Sequence, residues 1–95
     1  MLLDILAIDD QGRKFNIEMQ TSLPAGLPQR LLAYASSLYC DQLVTGEVYT
    51  QLKPAISICV LDQRLFKQHE RLHSPFLLRD QEGQVLTEDL QIHTV

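Results

Sequence analysis

The stretch LLDILAIDDQGRKFNIEMQ, residues 2–20, decides the fold: two strand-like runs flank the turn segment DDQGR. A three-residue loop of Asp10, Gln11 and Gly12 is a type I turn followed by a residue in the left-handed region, where glycine is least strained. In that register Asp9 faces Arg13 and Asp4 faces Glu18. Directly opposed residues share a face, with Cβ atoms roughly 5 Å apart. A two-residue loop on Gln11 and Gly12 would instead pair Asp4 with Met19 and turn Glu18 to the other side. Two carboxylates that close, with no Lys or Arg beside them in sequence, repel unless a cation or a proton sits between them. The plainer reading places both at a solvated sheet margin, because paired acids are common and only weakly diagnostic.

Outward from the hairpin, alternation puts Phe15, Ile17 and Met19 on one face of the second strand and Asn16, Glu18 and Gln20 on the other. The first strand is apolar on both faces, which predicts a central strand covered on both sides. Pro24, Gly26 and Pro28 punctuate the end of the second strand. They open a helix from about Pro28 to Val44, with Gly46 suited to its end. Leu27, Leu31, Ala35, Leu38 and Gln42 form the stripe expected to pack on the sheet. AISICVL, residues 55–61, is a continuous apolar run of strand length. Coming after a helical crossover, it should lie parallel to a hairpin strand. A short helical turn is expected around Leu65 to Arg71. Further strands are expected at Pro75 to Arg79 and Leu90 to Val95, on either side of a turn at Gln81–Gly83.

The order of these segments, LLDILAIDDQGRKFNIEMQ, a helix carrying Arg30, Tyr34, Leu38, Tyr39 and Gln42, then GEVYTQLKPAISICVLD, resembles the recombination-promoting nuclease and transposase family of the PD-(D/E)xK superfamily. The resemblance extends to the closing LTEDLQIHTV. It implies an α/β, restriction-endonuclease-like core with a mixed sheet: β-hairpin, crossover helix, buried strand, C-terminal strands. It further implies a metal-dependent DNA endonuclease in which Asp4 and Glu18 bind Mg²⁺ or Mn²⁺. Gln20 stands where the superfamily usually has Lys, and its role there would be to position water or phosphate. Arg30 and Gln42 match polar positions of the pattern and are expected to face substrate or brace the site; a solvated helix face is the alternative. Full-length members carry elements ahead of the Asp strand and beyond this chain's last residue. Residues 1–95 are therefore expected to be a single core domain truncated at both ends.

Chemistry agrees with these residue types, since hard divalent cations take carboxylate, water and phosphate oxygens. Composition pulls the other way. The net charge of −4 argues against broad electrostatic affinity for DNA, and the nearest approach to a basic patch is Arg64, Lys67 and Arg71. A second reading is thus a catalytically inactive regulatory or assembly module that keeps the nuclease fold and self-associates or pairs with a full-length relative. At 45% hydrophobic residues, 95 residues suffice for one core. Apolar sheet left bare by missing elements is expected to drive homo-oligomerisation. Two isolated cysteines, Cys40 and Cys59, without a signal peptide predict a cytoplasmic setting. No apolar run approaches the ~20 residues that span a membrane. His69 and His73, four apart, could share a helix face and hold zinc, but no third ligand lies nearby and surface histidines are the better reading. His93 reads as structural. Gly-rich phosphate loops, serine-nucleophile motifs and CxxC pairs are absent.

Overall fold

The computed structural model describes residues 2–44, 48–62 and 73–95. The hairpin pairs β1 (Leu2–Ile8) with β2 (Lys14–Gln20). Its turn follows the three-residue geometry. The Asp9 N–H donates to the Arg13 carbonyl and the Gly12 N–H to the Asp9 carbonyl, each at 3.1 Å. Gly12 has φ +82°, and a Cβ there would meet the Lys53 side chain at 3.4 Å. The Asp9 carboxylate closes the turn by accepting the N–H groups of Gln11 (3.0 Å) and Arg13 (2.8 Å) and pairing with the Arg13 guanidinium. Asp4 is consequently the register partner of Glu18, and Leu6 of Asn16.

The chain then crosses over the sheet as α1 (Leu27–Val44) and returns as β3 (Ala55–Leu61), parallel to β2. A short 3₁₀ turn at Tyr49–Gln51 precedes β3. A second hairpin, β4 (Ser74–Arg79) and β5 (Val85–Thr94), completes the sheet. β5 runs parallel to β3 and begins five residues earlier than the sequence predicted, and the strand order is β1-β2-β3-β5-β4. Backbone bonds continue the β3–β5 pairing past the strand ends, from the Val95 N–H to the Cys59 carbonyl (2.9 Å) and from the Leu61 N–H to the Val95 carbonyl (2.8 Å). This is a mixed five-stranded α/β sheet with one crossing helix, as expected for a restriction-endonuclease-like core.

The predicted stripe packs as read. Leu27, Leu31 and Ala35 are essentially inaccessible, and Leu27 and Leu31 close a core with Cys59, flanked by Leu23, Leu61 and Ile92. Burying each such leucine contributes about 1.5–3 kcal/mol. Helix α1 contacts β2, β3 and β5.

The expectation of a central, doubly covered first strand is corrected. β1 is an edge strand, with Leu6 73% and Ile8 65% exposed. The cause lies in the crossover, which carries α1 over β2, β3 and β5 and away from β1. An apolar run therefore marks β1 without marking its cover. On the sheet face away from the helix, Ile5 and Met19 are nearly half exposed. The expected helical turn at Leu65 to Arg71, His69, and the basic trio Arg64, Lys67 and Arg71 lie outside the described residues.

Candidate functional site

Strand alternation and the hairpin register build the site around Glu18. It sits mid-strand in β2, facing α1, with Asp4 of β1 as its register partner on one side and Cys59 of β3 on the other. Glu18 is completely buried. An ionised carboxylate in such a place is costly unless it is paired and hydrogen-bonded. Both conditions are met on one oxygen only. Oε1 accepts from Gln20 Nε2 at 2.8 Å and pairs with Arg30 Nη2 at 3.0 Å. Oε2, equally buried, has no hydrogen-bond partner among the described residues.

Arg30 reaches Glu18 because the helix starts where β2 ends. Pro24 and Gly26 form the turn, the Arg30 N–H donates to the Gly26 carbonyl at 2.9 Å, and Arg30 falls in the first helical turn. A cation there opposes the helix dipole, and that turn contains no acid. Glu18 supplies the missing negative charge from the sheet. One turn on, the Tyr34 ring lies under the guanidinium, 5.2 Å from ring centroid to Cζ, which holds both side chains in place. Arg30 Nε is buried without a partner among the described residues. Beside Glu18, the Cys59 thiol is pushed up to about 11 by burial first and by the Glu18 charge second, with Arg30 partly opposing.

Gln20 is buried and spends its amide N–H on Glu18, so the residue two after the glutamate braces the carboxylate. Gln42 lies elsewhere. Twelve residues along α1 place it about 18 Å from Arg30. There its Nε2 donates to the Lys53 carbonyl (2.8 Å) and its Oε1 accepts the Lys53 N–H (2.9 Å). Gln42 thus clamps the segment entering β3, and its amide is engaged by the chain itself.

A cleft of about 310 Å³ lies between the hairpin and α1, one register pair along from Glu18. Leu6, Asn16, Tyr34, Ser37, Leu38 and Asp41 line it. Sequence reasoning missed it, although Asn16 was visible as the first polar residue on the face that carries Glu18. Elsewhere on α1, Tyr39 donates its hydroxyl to Asp89 Oδ2 at 2.8 Å, tying the helix to β5.

His73 and His93 meet with a nitrogen separation of 2.8 Å, and the other His93 nitrogen contacts Gln91 Oε1 at 2.9 Å. The proposed partner of His73 in a zinc site, His69, lies outside the described residues. Among the described residues no group of three or more His, Cys, Asp or Glu side chains could hold a metal ion. Glu18 Oε2 is a buried oxygen without a partner among the described residues, and Asp4 is the register partner of Glu18. Carboxylate oxygens are what a hard divalent ion takes, completing its shell with water and phosphate oxygens. No described helix is long and apolar enough to cross a membrane.

A family model described as PD-(D/E)XK nuclease family transposase matches residues 1–95. No curated protein and no solved structure matches the chain.

Proposed function

Because the chain belongs to the PD-(D/E)XK nuclease family transposases over its whole length, we propose that it is a metal-dependent DNA endonuclease core that hydrolyses phosphodiester bonds. Nucleases of this class generally use a divalent metal, and the family implies DNA as partner. The observation that carries the reading is the half-satisfied carboxylate of Glu18: Oε1 fixed by Gln20 and Arg30, Oε2 buried and without a partner among the described residues. Asp4 and Glu18 would hold Mg²⁺ or Mn²⁺. When bound, such an ion stabilises charge on the phosphodiester and acidifies water.

The chain's own residues do the rest. Arg30 and Gln20 fix the plane of the Glu18 carboxylate, so that Oε2 keeps one direction. Arg30 holds Oε1 through Nη2 while its Nε stays buried without a partner among the described residues. Gln20 has no titratable proton, so its part is to position water or phosphate. A cytoplasmic setting belongs to the same proposal, supported by two free cysteines.

Nicking of supercoiled plasmid with Mg²⁺ or Mn²⁺ tests this, set against Glu18→Ala and EDTA. Nicking lost in both controls is the expected result. Nicking that survives Glu18→Ala overturns the site assignment.

A second reading, an inactive regulatory or assembly module, is favoured by the open sheet face at Ile5 and Met19 and by the edge position of β1. Plasmid left intact, together with a chelator-insensitive oligomer in sedimentation, is its signature.

A further inference from the structure

The geometry points to the cleft between the hairpin and α1 as a binding subsite for one unstacked nucleobase, with adenine the best fit. The inference rests on the nuclease reading above and names what that site recognises next to the scissile phosphate.

Position is the first ground. Asn16 and Leu6 form the register pair two residues from the Glu18–Asp4 pair, and Asn16 shares the sheet face of Glu18, so the cleft lies one step along the sheet from the buried glutamate. Size is the second. About 310 Å³ is at the lower limit of small-molecule clefts, enough for one base and its sugar edge.

Chemistry is the third and decides the ligand class. Asn16 is only 5% exposed, lines the cleft, and has no side-chain hydrogen bond among the described residues. A buried amide with a donor and an acceptor to spend matches the paired acceptor and amino donor of adenine. Asp41 adds an acceptor for an amino group, and its negative charge disfavours a phosphate in the same space. Leu6, Leu38 and the Tyr34 ring make the rest of the wall apolar and aromatic, as a base face requires. Tyr34 is already held by the Arg30 guanidinium, so this wall is preorganised. Because Arg30 also pairs with Glu18, the base wall and the carboxylate share one anchor.

The test is an NMR titration of the isotope-labelled whole chain with deoxyadenosine and, separately, thymidine, in EDTA so that no cleavage is involved. Deoxyadenosine should shift the resonances of Asn16, Ser37 and Asp41 and bind about tenfold more tightly than thymidine. Asn16→Ala should weaken deoxyadenosine about tenfold. Asp41→Ala, at an exposed position with no fold at stake, should do so by a similar factor. Equal binding of the two nucleosides overturns the inference, as does an absence of shifts at the cleft or unchanged affinity in Asp41→Ala. A flat titration beside Glu18-dependent nicking removes the subsite and leaves the nuclease standing. Cleft shifts without nicking leave the subsite and remove the nuclease reading.

Discussion

Arg30 Nη2 lies 3.0 Å from Oε1 of Glu18, so the helix supplies the counter-charge for a carboxylate that the sheet buries completely. Breaking such a pair from one side leaves an uncompensated buried charge, at a cost of about 3–5 kcal/mol. The Arg30 side chain is one-third exposed, which places Arg30→Met near the lower end, ~3 kcal/mol. Urea denaturation should register that loss, and the double change Arg30→Met with Glu18→Leu should recover most of it. A single variant as stable as the parent would show that the ion pair holds nothing.

Metal binding should be visible without any cleavage. A ligand that binds only the folded chain raises its melting temperature by mass action. Mg²⁺ or Mn²⁺ at millimolar concentration should therefore raise the melting temperature of the parent and leave that of Glu18→Gln unmoved. An equal rise in both proteins would locate the ion elsewhere.

Gln42 clamps Lys53 through both ends of its amide. Gln42→Ala removes both bonds to the Lys53 backbone, each worth about 0.5–1.5 kcal/mol. The expected signature is local: faster hydrogen exchange at the Lys53 amide and at the Lys14 amide, which donates to the neighbouring Pro54 carbonyl. Unchanged exchange at both would contradict the clamp.

Cys59 gives a pH dependence of known sign. Its folded value of about 11 lies above the ordinary 9.0, because burial and the Glu18 charge disfavour the thiolate. The folded state therefore holds the thiol proton more tightly than the unfolded state. The corresponding stability is fully present below pH 9 and is lost as pH rises towards 11. Urea midpoints measured between pH 8 and 11 should fall in the parent, and fall less in Cys59→Ala. Parallel curves would show that the thiol plays no part.

Much of this arrangement was readable from short-range rules. The Gly12 turn set the register, and the register set Asp4 against Glu18. The stripe from Leu27 to Gln42 gave the buried face of α1 because a single amphipathic helix on a sheet leaves little choice. The position of β1 was not readable. An apolar strand looks the same at an edge as in the middle, and only the path of the crossover distinguishes them. The ion pair lay half hidden. A cation in a helix's first turn without an acid nearby is a local anomaly, and such anomalies gather at functional sites. Which acid answers it depends on a contact between residues 12 apart in sequence, and periodicity does not report that. The cleft was further from reach, since it exists only once α1 has docked over Asn16.

The hairpin that pairs Asp4 with Glu18 is contained in 19 consecutive residues, whereas Arg30 reaches Glu18 only when α1 folds back on the sheet. Local hairpins close in about 1–10 μs, and docking of a crossover helix onto a parallel strand pair follows the slower closure of a longer loop. During that interval Glu18 lacks its Arg30 counter-charge while Asp4 is already its register partner. Screening of that uncompensated charge means that added salt or a divalent ion should speed refolding of this chain more than it slows unfolding.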